Sequence, residues 1–184
     1  MDPLLEMNKL SINGTSNCKR KDYISWADYF MGLAFLAAKR SKDPVTQVGA
    51  CIVNEDKKIV GMGYNGMPTG CDDDDFPWGK NKDYTLDDKS MYVCHAELNA
   101  IINKNATDLK KCTIYTSLFP CNECAKVIVQ SGIKTVVYML EKDGNKYEAS
   151  RRIFQAANVV CRRHEPQVNK IVIEFPTNGQ MESP

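Results

Sequence analysis

The stretch CTIYTSLFPCNECAKVIVQSGIKTVVYML, residues 112–140, decides the fold. Its apolar pattern predicts a strand over 112–118, a helix over 121–131 and a second strand over 135–140. A crossover helix of about ten residues makes the two strands parallel and the connection right-handed. Because ligands bind beyond the carboxyl ends of parallel strands, we expect chemistry at residues 117–120.

The segments on either side extend this unit into a layered domain. Ser25 can cap a first helix over 25–40. Apolar residues of this helix recur at helical spacing and are expected to face the core: Tyr29, Leu33, Leu36 and Ala37. The other predicted elements are strands over 48–54 and 58–65, helices over 94–104 and 148–157, and a strand over 159–163. Together they predict an α/β fold, a three-layer α/β/α architecture with a mixed five-stranded sheet.

The length of 184 residues fits one domain. We predict a mobile tail over 1–21, a folded domain over 22–175 and a second tail over 176–184. Within the domain, residues 66–91 are rich in Gly, Pro and Asp and predict a long loop without a core of its own. Loops of that length are usually functional or disordered.

Composition bounds the possible partners. The 24 Lys and Arg residues against 23 Asp and Glu residues give a formal net charge of +1, so no strong field would hold a polyanion. The sequence has no apolar run of the ~18 residues that a membrane helix needs, and its start lacks the pattern of a signal peptide. We therefore expect a cytoplasmic protein, with the nucleus as the other possibility, whose eight cysteines stay reduced.

Two cysteines, Cys121 and Cys124, stand three positions apart directly after the first parallel strand. At this spacing they share one face of the first helical turn, where free backbone N–H groups and the helix dipole favour thiolates. The pair could bind zinc, act as a redox couple or simply pack in the core. By itself the pair does not decide among these roles.

A histidine and a glutamate, His95 and Glu97, open the helix predicted over 94–104. In the first helical turn both side chains can flank a ligand at the end of the axis. His95 could equally be a structural residue, and Glu97 could simply favour the helix dipole. Together with the two cysteines, His95 completes three protein ligands, the number that a catalytic zinc site keeps while water takes the fourth position.

The order H-x-E followed by P-C-x-x-C matches the signature of zinc-dependent nucleoside and nucleobase deaminases. Two thiolates offset the charge of zinc, which lowers the pKa of a bound water to about 7. Glu97 would take a proton from this water, deliver it to N3 of a cytosine, and later protonate the departing amino group after hydroxide adds at C4. The expected reaction is hydrolysis of the C–N bond of a cyclic amidine, which releases a uracil ring and ammonia.

Longer stretches carry a more specific resemblance. They are RSKDP (40–44), QVGACIVN (47–54), GYNGMP (63–68), CHAELNAI (94–101) and LFPCNECAK (118–126). Through them the chain resembles the deoxycytidylate (dCMP) deaminases of the cytidine deaminase-like superfamily over about residues 26–175. The resemblance implies the fold of that superfamily, one zinc ion per subunit, and conversion of dCMP to dUMP for thymidylate synthesis. It also implies a homohexamer that dCTP activates and dTTP inhibits.

The resemblance also implies roles for single residues. It matches the zinc ligands to His95, Cys121 and Cys124, and the proton shuttle to Glu97. The implied substrate contacts are Asn54 for the sugar or base, the Ala96 N–H and the Ser117 carbonyl for the pyrimidine edge, and Phe119 for the pocket wall. Asn54 could instead be a turn residue, and Phe119 could belong to the core.

Nucleotides require further contacts for their phosphates. Arg40 and Lys42 are candidates for the substrate phosphate, although cations at the end of a helix also stabilise its dipole without a ligand. Four consecutive residues resemble the effector-binding region: Gly63, Tyr64, Asn65 and Gly66. The Asn-Gly pair could instead form a simple turn.

Two other functions stay open at this point. An editing deaminase acting on single-stranded nucleic acid or tRNA would need a basic groove with stacking aromatics, whereas this chain is nearly neutral and carries an acidic run at 72–75. A non-catalytic zinc-stabilised interaction domain would need a fourth protein ligand and would leave Glu97 without a role. We therefore expect a small nucleotide substrate, with no nucleic-acid partner and no membrane.

Overall fold

The computed structural model of the chain describes residues 18–81, 83 and 85–175. The predicted tails therefore fall mostly outside the described residues, at 1–17 and 176–184, and the domain limits stay a prediction. In the described part of the chain, no helix has both the length and the apolar character that a membrane span requires.

A mixed sheet of five strands forms the centre of the domain. In chain order the strands are β1 (Gly49–Val53), β2 (Ile59–Tyr64), β3 (Thr113–Leu118), β4 (Thr135–Leu140) and β5 (Val160–Arg163). Their order in the sheet is β2-β1-β3-β4-β5. Strand β1 pairs antiparallel with both β2 and β3, whereas β3, β4 and β5 run parallel. The predicted hairpin and βαβ unit are both confirmed.

Helices cover both faces of this sheet. They are α1 (Trp26–Ala38), α2 (Ala96–Ile102), α3 (Asn122–Gln130) and α4 (Asn145–Ala156). Alternate residues of β1 point to opposite faces: Ile52 packs in the cluster that contains residues of α2, α3 and α4, and Cys51 packs in the cluster that contains residues of α1. The three-layer α/β/α architecture is therefore confirmed.

The orientation of α1 differs from the prediction. Phe30, Met31 and Ala34 face the sheet, whereas Tyr29 is 38% exposed and Leu36 is 49% exposed. Since α1 is apolar on nearly all sides, periodicity alone could not select the inner face. The close approach of Ala34 to Gly49 selects the inner face, because a Cβ atom on Gly49 would lie 1.9 Å from the Ala34 carbonyl oxygen.

The segment after β5 is fastened to the start of α1. His164 is buried, and its Nε2 lies 2.9 Å from Oδ1 of the buried Asp28. Asp28 also accepts hydrogen bonds from the Ser25 hydroxyl and the Gln167 N–H. Cys161 is exposed because β5 is an edge strand.

The contact between α2 and β2 involves backbone atoms directly. A Cβ atom on Gly63 would lie 2.3 Å from both the Ala96 carbonyl oxygen and the Ala100 nitrogen. A glycine is therefore required at this point of β2, and it sets the position of α2 and of the residues that begin it.

Gly63→Ala is expected to force α2 away from the sheet and to lower the free energy of unfolding by about 1–3 kcal/mol or more. Denaturant unfolding measures this change. Gly79→Ala is the matched control, because the nearest atom to its Cβ would be 3.9 Å away. Equal stability of the two variants would contradict the close-packing argument.

Candidate metal centre and its cavity

Two helix starts converge at the carboxyl edge of the parallel strands. His95 is the N-cap of α2 and Cys121 is the N-cap of α3, both in extended conformation. Neither side chain makes an N-cap hydrogen bond. The Cys124 N–H helps to lower the pKa of the Cys121 thiol and so favours the thiolate form that binds metal. Cys124 lies in the first turn of α3 and is buried.

The three side chains lie close enough to share one ion. His95 Nδ1 is 3.3 Å from Cys124 Sγ and 3.4 Å from Cys121 Sγ, and all three atoms lie within 4.8 Å of one another. With Zn–S bonds of about 2.3 Å and Zn–N bonds of about 2.0 Å, a tetrahedral site separates nitrogen from sulfur by about 3.5 Å. The donor set and its spacing therefore fit zinc. Among the described residues, no other group of His, Cys, Asp and Glu has such a geometry.

The two thiols differ in their readiness to ionise. The hydrogen bond from Cys124 lowers the pKa of Cys121 to about 3, and His95 contributes in the same direction. The same hydrogen bond, with burial and the nearby Glu97 carboxyl, raises the pKa of Cys124. Because a metal ion binds cysteines as thiolates, its binding to this pair would release their remaining protons.

Glu97 lies beside this group without joining it. Its side chain belongs to the first turn of α2, is only 4% exposed, and has Oε2 at 3.4 Å from Cys124 Sγ. Burial raises the pKa of the Glu97 carboxyl, although the His95 charge opposes the shift. A raised pKa makes a carboxyl group better suited to hold and pass on a proton.

A cavity of about 520 Å³ opens above these residues. His95, Ala96, Glu97 and Cys121 line it, together with Phe119. Further lining residues come from the loop that precedes α2, among them Lys80, Lys89, Ser90 and Val93.

As predicted, the loop over 66–91 has no core of its own, because its described residues belong to neither hydrophobic cluster. It is nevertheless anchored at a buried polar residue. Asp88 is fully buried and accepts hydrogen bonds from the N–H groups of Asn81 (2.8 Å) and Ser90 (2.7 Å). The Trp78 indole N–H donates to the Asp73 carbonyl at 2.8 Å. The loop thus has a buried anchor and forms one wall of the cavity.

Asn54 does not reach the cavity, which corrects the prediction of a substrate contact there. Its Oδ1 accepts the Lys58 N–H at 2.9 Å within the hairpin turn, the alternative that the sequence had left open. Asn65 lines the cavity instead and is 6% exposed. The reason is strand direction: β2 runs parallel to β3 and ends at the same edge, whereas β1 runs antiparallel and ends at the other. The predicted hairpin already contained this signal.

The predicted phosphate contacts are also corrected. Arg40 and Lys42 are exposed and do not line the cavity, and Lys42 forms an ion pair with Asp73. Lys142 and Lys146, which follow β4, line the cavity on the side of the parallel strand ends. The rule that predicts chemistry at residues 117–120 applies equally to the end of β4, and this is the sequence signal for the two lysines.

The remaining predicted substrate contacts have mixed outcomes. Ala96 and Phe119 line the cavity, and Phe119 packs edge-on against Tyr138 with ring centroids 4.8 Å apart. Ser117 is buried, and its hydroxyl accepts a hydrogen bond from the Gly49 N–H at 3.1 Å. The contact of its carbonyl with the pyrimidine edge stays a prediction.

The four residues of the predicted effector region do not share one surface. Gly63 is packed against α2, and Asn65 faces the cavity. Tyr64 is 38% exposed, and Gly66 pairs with Cys94. Only Tyr64 and Gly66 therefore stay available to a separate effector site.

Known proteins with similar sequences and folds agree with this geometry. The family profile of the cytidine and deoxycytidylate deaminase zinc-binding region matches residues 24–140. The chain is 58% identical over 159 residues to deoxycytidylate deaminase of Homo sapiens, covering 85% of this chain and 89% of the relative. It is 54% identical over 166 residues to a probable deoxycytidylate deaminase of Drosophila melanogaster, covering 86% of this chain and 82% of the relative.

A solved dCMP deaminase structure has a similar fold. The dCMP deaminase of the cyanophage S-TIM5, in complex with dCMP and dUMP, superimposes with a TM-score of 0.59 at 26% identity, covering 74% of this chain and 95% of that chain. Fold and site thus define a zinc-dependent hydrolase that removes an amino group, with one zinc ion per subunit. The chain belongs to the cytidine and deoxycytidylate deaminase family.

Proposed function

We propose that this enzyme hydrolyses dCMP to dUMP and ammonia with a zinc ion held by His95, Cys121 and Cys124. The observation that carries the proposal is the buried carboxyl of Glu97 beside that ligand group, at the bottom of a cavity of nucleotide size. The relatives named for deoxycytidylate deaminase support the choice of substrate.

Each group of the site has a distinct task. When bound, zinc supplies an activated water at neutral pH. Glu97 would accept a proton from that water on its carboxylate and donate it to N3 of the pyrimidine. It would then take the second proton from the hydroxyl added at C4 and deliver it to the nitrogen that leaves C4. One C–N bond breaks and one C–O bond forms, so water and dCMP balance dUMP and ammonia. The low exposure of Glu97 keeps its proton from exchanging freely with solvent.

Other cavity residues would hold the nucleotide. The Ala96 N–H and the Phe119 ring are suited to the base, and Asn65 replaces Asn54 as the polar side chain for the sugar. Lys142 and Lys146 replace Arg40 and Lys42 as cations for the phosphate.

Glu97→Gln is expected to keep its zinc but to lose turnover of dCMP by about 10²–10⁴-fold, because an amide cannot transfer protons. The assay measures uracil-ring products from dCMP, CMP, deoxycytidine and cytosine, with the metal content determined in parallel. Glu148→Gln, which changes an exposed carboxylate paired with Arg152, is the matched control. Near-normal turnover by Glu97→Gln, or activity only on a single-stranded oligonucleotide, would contradict the proposal.

Lys142→Met and Lys146→Met are expected to raise KM for dCMP about 10- to 100-fold and to change KM for deoxycytidine little, since only dCMP carries the phosphate. Arg40→Met should leave the ratio of the two substrates as in the wild type, because Arg40 does not line the cavity. If Arg40→Met raised KM for dCMP alone and the two lysine variants did not, the phosphate contact predicted from the sequence would be supported instead.

The proposal extends to regulation and cellular role. We infer that dCTP activates and dTTP inhibits a homohexamer in the cytoplasm, and that the dUMP formed supplies thymidylate synthesis. These points are supported by the resemblance of the motifs to dCMP deaminases. Tyr64, with its exposed ring, is the residue best suited to stack on an effector base.

Addition of dCTP is expected to convert a sigmoidal dependence of rate on dCMP into a hyperbolic one, since an effector that prefers the active state removes cooperativity. Steady-state kinetics with and without dCTP measure this. Identical curves would show that dCTP does not activate the enzyme, and the proposed deamination would not depend on that result.

A further inference from the structure

A buried ion pair lies in the wall of the cavity, apart from the metal ligands. Asp43, in the connection between α1 and β1, is 4% exposed, and its partner Lys89 has a side chain that is 11% exposed. Lys89 Nζ lies 2.6 Å from Asp43 Oδ1 and 2.7 Å from Oδ2. Because desolvation offsets much of the attraction in such pairs, stability alone is a weak explanation for this one.

The Asp43 carboxylate is surrounded by donors. Its Oδ1 also accepts the N–H groups of Val45 at 2.8 Å and Thr46 at 3.0 Å. Its Oδ2 accepts a hydrogen bond from Asn65 Nδ2 at 3.3 Å. The ion pair thus connects directly to the asparagine that lines the cavity.

The side-chain amide of Asn65 has only one hydrogen-bonding position left for a ligand. Its two amide hydrogens go to Asp43 and to the Thr46 carbonyl, at 3.0 Å for the latter. Its Oδ1 accepts the Val48 N–H at 2.8 Å, which occupies one of two lone pairs. The position that remains open to a ligand is therefore an acceptor, the second lone pair of Asn65 Oδ1. A flipped amide would set its oxygen against a carboxylate and a carbonyl, so the observed orientation is strongly favoured.

We propose that Asp43 and Lys89 are positioning residues for Asn65, which fix its amide so that the group left for the nucleotide is an oxygen acceptor. The inference rests on the proposed function, in which Asn65 contacts the sugar, and it adds the chemistry of that contact: Asn65 accepts a hydrogen bond from a donor such as a sugar hydroxyl.

The protonation state of Asp43 agrees with this role. Burial pushes its pKa upwards, but the hydrogen bond from Lys89 and those from the Thr46 and Val45 N–H groups outweigh burial, and the pKa lies below its ordinary value. Asp43 is therefore a pure acceptor at neutral pH. Lys89 acts through Asp43, since it keeps that carboxylate charged and held in place.

Asp43→Asn tests the proposal. An asparagine oxygen can still accept the Val45 and Thr46 N–H groups, but its NH₂ group then opposes the NH₂ group of Asn65. We expect kcat/KM for dCMP to fall about tenfold, mainly through KM, because a binding contact is lost while Glu97 is unchanged. In an Asn65→Ala background the same substitution should cause no further fall.

A purely structural role gives a different result. It would lower kcat/KM by the same factor in both backgrounds, or lower kcat at constant KM, and either result overturns the proposal. If Asp43→Asn does not fold, the same cycle is run with Lys89→Met and with Lys89→Arg, of which only Lys89→Met should raise KM. Lys111→Met is the matched control, since its pair with Glu55 is about 70% exposed on both sides and 3.9 Å long.

A readout without turnover separates this inference from the proposed function. If the wild-type chain converts no dCMP, the proposed function is wrong, and the side-chain amide resonances of Asn65 decide the inference. Asp43→Asn should shift these resonances and speed their hydrogen exchange. Unchanged resonances would overturn the positioning role.

Discussion

Three ligand atoms on two separate helices have to lie within 4.8 Å of one another before this domain can hold a metal ion. The parallel pairing of β3 with β4 provides half of that condition, because it directs the start of α3 to the carboxyl edge of the sheet. The close packing of α2 on Gly63 provides the other half, because it directs His95 to the same edge. At both helix starts the cap side chain makes no N-cap hydrogen bond.

The same arrangement explains why a carboxyl group stays close to the metal ligands without joining them. Glu97 follows His95 by two positions, so its side chain emerges from the first turn of α2 and is covered by the core that also covers Cys124. Three protein ligands leave one tetrahedral position for water, and a buried carboxyl next to that position is suited to move its protons. Specificity for the nucleotide then depends on the cavity wall, which is formed by strand ends and by the loop over 66–91.

Much of this could be predicted from the sequence, because its strongest signals lie at element boundaries. The strand over 135–140 matches β4, and the two cysteines were expected at the start of α3 because Pro120 and the preceding strand mark that boundary. The metal group and its carboxyl follow from their positions at two such boundaries.

The errors arise where tertiary packing decides. The inner face of α1 depends on the contact of Ala34 with Gly49, which no periodicity reveals. Asn54 and Asn65 both end a strand, and only the direction of that strand in the sheet separates a turn residue from a cavity residue. The burial of His164 likewise depends on a partner 136 positions away, Asp28, which local sequence patterns do not reveal.

The most direct measurement of the central claim is X-ray absorption at the zinc edge of the purified protein. The account predicts two sulfur scatterers at about 2.3 Å and two lighter scatterers at about 2.0–2.1 Å, from two cysteines, one histidine and one solvent position. A third sulfur at bonding distance, for which Cys94 beside His95 is the available source, would close that position and contradict the account.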